Sequence, residues 1–170
     1  PEFEKKRIPV ARFLCRKTRK TFSLLPIQLI PYFQYTVGAV LGTLLLGLEC
    51  RKTGQRGFHG ASVQVDPDSL VTPWLVACWL MAVLKGLQRA HAMLGQWYNL
   101  NAVSIAPQRT RTWEEVAAYL LCFRWNPQRH FRPLLWETLH RYSRTTKRFL
   151  FGTPSQERMR RSTFSMEKAK

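Results

Sequence analysis

Acidic side chains are scarce in this sequence. Its 170 residues hold two aspartates, Asp66 and Asp68, and eight glutamates. A metal-dependent nuclease or recombinase core uses several spaced carboxylates, and no such set can easily be drawn from these. Thiol pairs are missing as well. Cys15, Cys50, Cys78 and Cys122 lie far apart, with no CxxC and no Cys/His cluster, so the chain alone makes no standard zinc site. A phosphate-cradling loop is absent, because Gly54-Gln55-Arg56-Gly57 lacks both the strand–helix context and the Lys-Ser/Thr pair. No G-x-S-x-G elbow occurs. The four histidines offer no catalytic partner set, and His59, His91, His130 and His140 read as ordinary surface or loop residues. The expectation is a protein without catalytic residues, not an enzyme. Sparse cysteines and the lack of a signal sequence point to free thiols and a cytoplasmic location, with Cys78 and Cys122 as small buried hydrophobes. An opening on Pro1 reads as a fragment or a processed product.

Cations are abundant instead. Lys and Arg number 27 against ten acids, a net charge of +17. The excess is uneven. Residues 1–20 carry +6, residues 141–170 carry +7, and the 120 residues between them carry only +4. Two basic arms flank a nearly balanced body. Such a balance points to a polyanionic partner, a nucleic acid or an anionic membrane surface. The hydrophobic fraction of 45% is enough for a packed core.

Residues 21–48 hold no charge, which raises the question of a membrane span. Pro26 and Pro31 interrupt that run, and the second uncharged stretch, Ser69 to Leu84, carries Pro73. Mean hydropathy is −0.25, low for a multispanning chain. Buried helices of a soluble protein are the expected reading. A small membrane-associated helical protein with basic flanks is the alternative.

The pattern predicts a mainly α fold: a short N-terminal β-hairpin, then about four helices. Residues 7–14 alternate between apolar and basic, residues 15–20 form a basic turn, and Thr21 to Leu25 is β-prone. Helix one is expected from Thr36 to Leu48, and the glycine-rich stretch 49–68 is expected as a loop. Helix two opens at Thr72-Pro73 and extends toward Trp97. Helix three begins with a capping box, Thr112-Trp113-Glu114-Glu115, and ends before Asn126-Pro127. Helix four covers about Arg132 to Arg148, with Leu135, Leu139, Tyr142 and Thr146 on one face. Asp66-Pro67-Asp68-Ser69 reads as a turn. Three parts follow: a basic hairpin over 1–31, a helical domain over 32–150 and a basic disordered tail over 151–170.

The hairpin is the one constellation with a specific chemical reading. Arg12, Arg16, Lys17, Arg19 and Lys20 gather around a tight turn beside Phe13 and Phe22. A basic finger of this kind can lie along a phosphate backbone. Arg51, Lys52 and Arg56 make a second, weaker patch after helix one.

The stretch from Arg12 to Pro26, with Cys15, Thr21-Phe22-Ser23 and Leu25-Pro26, followed by Pro31-Tyr32 and Tyr35-Thr36, resembles an uncharacterised bacterial family associated with transposases. In that family a zinc ribbon precedes a helical, helix-turn-helix-like region, on the pattern R-[YF]-x-C-x-x-C-x-[RK]-T-F-S-x-L-P. The match covers about 25 residues. Thr18 stands where the family has its second knuckle cysteine, so the resemblance implies zinc-ribbon ancestry and no zinc unless an upstream segment completes a knuckle with Cys15. It also implies DNA binding in a mobile-element setting, with a transposase as a candidate partner. On a helix-turn-helix-like reading, contacts to base edges fall to Lys85, Gln88 and Arg89, because Trp74 to Leu84 offers almost no polar side chain. DNA sequence preference and oligomeric state stay open.

Overall fold

The computed structural model describes residues 7–30, 33–65, 70–101, 103, 112–122 and 132–151. The fold is mainly helical with an N-terminal two-stranded antiparallel hairpin, as the sequence predicts. The elements are β1 (Ala11–Leu14), β2 (Thr21–Leu24), α1 (Val37–Lys52), α2 (Gly57–Val65), α3 (Pro73–Gly95), α4 (Thr112–Cys122) and α5 (Arg132–Thr146). The chain divides into two compact units, 1–77 and 78–170.

In the first unit, the uncharged run 21–48 is not one helix. After β2 it turns, Leu29 bridges to Thr36, and the Val37 amide donates to the Gln28 carbonyl at 2.7 Å. The Thr36 hydroxyl then accepts from the Ala39 amide at 3.2 Å, so the expected N-cap starts α1. Val37, Val40, Leu41, Leu44, Gly47 and Cys50 form its buried stripe. Among the described residues, no helix is long and apolar enough to cross a membrane.

The loop expected over 49–68 is in fact interrupted by α2, making five helices among the described residues rather than about four. The glycines that suggested a break are there for contact. A Cβ on Gly57 would sit 2.6 Å from the Arg51 side chain and 2.9 Å from the Gly47 carbonyl, and one on Gly60 would meet the Cys50 sulfur at 2.8 Å. Glycine costs helix propensity but lets α2 lie directly on α1, and the packing outweighs the propensity. The turn between them uses Gly54 at φ +81°.

In the second unit, the remainder of α3 buries Trp79, Leu80, Val83, Leu84, Leu87, Ala90 and Leu94. Trp113, Val116, Tyr119 and Leu120 of α4 and Leu135, Leu139 and Tyr142 of α5 complete the buried set, with Leu150 and Phe151 beyond α5. The start of α3 belongs to the first unit, where Thr72 caps it through the Leu75 amide at 3.2 Å, on the expected Thr-Pro signal. α4 differs from expectation at its start. Glu115 does not serve a capping box: it is buried and accepts from the Gln88 side-chain amide at 2.9 Å. Cys50 is the buried thiol, whereas Cys78 and Cys122, expected inside, are half-exposed. His91, expected as a surface histidine, is half-buried and bonded to the Tyr119 hydroxyl at 2.7 Å. The Asp66–Ser69 turn, the Asn126-Pro127 stop, His130 and the tail from 152 lie outside the described residues.

Candidate nucleic-acid interface

The hairpin register pairs Ala11 with Leu24, Arg12 with Ser23, Phe13 with Phe22 and Leu14 with Thr21. Side chains alternate across a strand, so Phe13, Phe22, Ala11 and Leu24 share one face, and Arg12 shares the other with Leu14, Thr21 and Ser23. The two phenyl rings stack across the strands, centroids 5.4 Å apart and planes inclined by 19°. Both rings face solvent, at 45% and 52% exposure, and every residue of the two strands is exposed.

Two backbone bonds close the turn: the Arg19 amide to the Cys15 carbonyl at 2.8 Å, and the Cys15 amide to the Lys20 carbonyl at 2.9 Å. Arg19 takes a left-handed conformation, φ 56°, which is uncommon for a side-chain-bearing residue. The geometry thrusts Arg16, Lys17, Arg19 and Lys20 into solvent. No acid occurs between Glu4 and Glu49, so residues 7–48 contain no carboxylate to neutralise them. Arg12, Arg16, Lys17, Arg19 and Lys20 form no ion pair among the described residues.

Cys15 sits at the base of this turn. The Thr18 hydroxyl first, then the Thr18 and Lys17 amides, donate toward its sulfur and hold its pKa below the ordinary thiol value. Amides converging on a sulfur suit a thiolate, yet the described residues do not fit a zinc ion. Thr18 fills the position a second thiolate would need, and no group of three or more His, Cys, Asp or Glu side chains converges among them.

The other proposed contacts fare unevenly. Lys52 pairs with Glu49 at 2.9 Å on the surface, and the stem of Arg51 lies beside Gly57. On α3, Gln88 is held by Glu115, and the Arg89 guanidinium donates to the Leu150 carbonyl at 3.2 Å. Lys85 is exposed, and Gln88 and Arg89 are exposed as well despite those bonds. The hairpin therefore gathers five of the nine sequence-derived contact residues, while Arg51, Lys52 and Arg89 are engaged within the fold.

One cluster escaped the sequence reading. His140, Arg141, Arg144, Thr145 and Lys147, with Glu137, line an open groove of about 550 Å³ along α5. Arg141 lies over the Trp97 ring, 4.3 Å from its centroid. The signal was present as cations at helical spacing, hidden inside a charge count that grouped residues 141–170 as one basic arm. No family model, curated protein or solved structure matches the chain.

Proposed function

We propose that this protein is a DNA-binding accessory or remnant protein of a transposable element, acting in the cytoplasm, binding mainly through phosphates and carrying out no catalysis itself. The observation that carries this reading is the hairpin: five solvent-facing cations on one short finger, within a stretch from 7 to 48 that holds no carboxylate. Cations left unpaired near one another repel, and a line of phosphates relieves that repulsion while releasing condensed counterions. Phosphate contacts position a protein without reading sequence, and on α3 Gln88 and Arg89, though exposed, each already hold an internal partner, so a base edge would have to compete for them. Weak sequence selectivity and steep salt dependence follow. The mobile-element setting, and a transposase as partner, rest on the resemblance of residues 12–36.

The test is a binding titration of labelled DNA across a salt series. Changing Arg16, Lys17, Arg19 and Lys20 together to Gln should weaken binding on all sequences alike and flatten the slope of log Kobs against log salt by about 3. An unchanged affinity and slope would remove the hairpin from the interface.

A further inference from the structure

We infer that the Phe13–Phe22 face of the hairpin is a stacking platform for unpaired bases, so that the preferred ligand is single-stranded or locally opened DNA rather than intact duplex. The inference rests on the DNA-binding reading above and narrows it. Folding normally hides large apolar rings. Here two phenyls, stacked on each other at 5.4 Å, stand half-exposed on a strand pair that buries none of its own residues. Leu24 extends the same face at 59% exposure.

The surroundings favour one occupant. A greasy partner protein would have to accept the four cations of the turn at its rim, with no acid between Glu4 and Glu49 to soften them. A nucleic-acid strand supplies both complements at once: phosphates for Lys20 on the ring side and for Arg16, Lys17 and Arg19 at the turn, and flat π-faces for the rings, while Arg12 lies on the opposite face. Every base has such a face, so stacking needs no particular sequence. The Cys15 amide bond to the Lys20 carbonyl continues the ladder one step and sets Lys20 on the ring side of the hairpin, where it reaches a phosphate of the stacked nucleotide. In a duplex the bases are already stacked on one another, and the rings have nothing to receive.

The experiment uses the full chain, a labelled single-stranded oligonucleotide of mixed sequence, and the duplex made from it, each titrated at two salt concentrations. The Phe13→Ala, Phe22→Ala double variant should bind the single strand about tenfold more weakly, with its salt slope unchanged and duplex binding within about twofold. Phe22→Leu keeps an apolar cross-strand contact but removes one π-face. It should lose several-fold on the single strand, which separates lost stacking from a lost hairpin. Phe13→Trp should add an indole emission that the single strand quenches and the duplex does not. Equal losses on both DNA forms, no loss on either, or an added emission that the single strand leaves unquenched would overturn the stacking platform while leaving phosphate binding intact. Failure of the wild-type chain to bind either form would sink both readings. A wild-type dimer that the double variant dissociates would reassign the face to a second copy of the chain.

Discussion

Three side chains show how local surroundings set chemistry that the sequence does not display. Cys15 accepts from Thr18 and Lys17 at the foot of an open turn, and its pKa is lowered; Cys122 is pushed the other way by burial. Because the thiolate is the reactive form, Cys15 should be alkylated by iodoacetamide well before Cys122 at neutral pH. Thr18→Ala should slow Cys15 alone, as mass spectrometry of the labelled peptides would reveal. Equal rates in the variant and the wild type would mean that the turn does not tune the thiol. Tyr119 behaves oppositely. Burial first, then the nearby Glu115 and Cys122, push its pKa up to about 12 from the ordinary 10.0. Between those values the folded chain keeps a proton that the unfolded chain has released, so stability falls as pH rises from about 10 to about 12. Tyr119→Phe removes that proton. It should therefore lose less stability than the wild type when urea midpoints are compared at pH 9 and pH 11, although loss of the 2.7 Å bond to His91 lowers its starting point. A difference of zero between the two proteins would refute the assignment.

At the scale of elements, glycine decides more than its helix propensity suggests. A Cβ on Gly86 of α3 would drive into the Leu150 carbonyl, a backbone atom that cannot rotate away, whereas one on Gly42 of α1 would meet nothing within 4 Å. The same substitution should act with opposite signs. Gly86→Ala should destabilise by about 1–3 kcal/mol through overpacking. Gly42→Ala should stabilise by up to about 1 kcal/mol through helix propensity. Chemical denaturation of the two variants checks both, and a stabilised Gly86→Ala would show that the segment after α5 is free to move aside. This context dependence explains what could be read in advance. Thr36 and Thr72 announce helix starts because a cap is a local event, and both serve as caps. The hairpin was legible from alternation and a basic turn. The helix α2 was not, because Gly57 and Gly60 act through a neighbouring helix that a linear reading does not see. Glu115 misleads for the same reason: its first-turn position suits a cap, but its partner Gln88 is 27 residues away.

For the whole molecule, the charge map separates roles that composition merges. The net +17 is real, but cations differ in what they already hold. Arg89 holds a carbonyl, Lys52 a carboxylate and Arg141 an indole ring. The hairpin cations hold none of these among the described residues, and this is why the salt-slope test is aimed at them. Sequence alone found that cluster because the residues are contiguous. It missed the α5 groove, where His140, Arg141, Arg144 and Lys147 become neighbours only after the helix winds. Changing Arg144 and Lys147 to Gln should lower DNA affinity less than the hairpin substitutions, and an equal or larger loss would shift the principal contact surface to α5.

The hairpin has a further consequence. Among the described residues both of its strands are outermost, each with one edge that carries no further strand, beside an oily pair of rings. Such an edge invites fibril-like self-assembly unless something repels a second copy. The crowded positive charge at its tip supplies that repulsion. Neutralising it should therefore leave the protein prone to clumping, so the same fixed charge that we propose meets phosphate also holds copies of the chain apart.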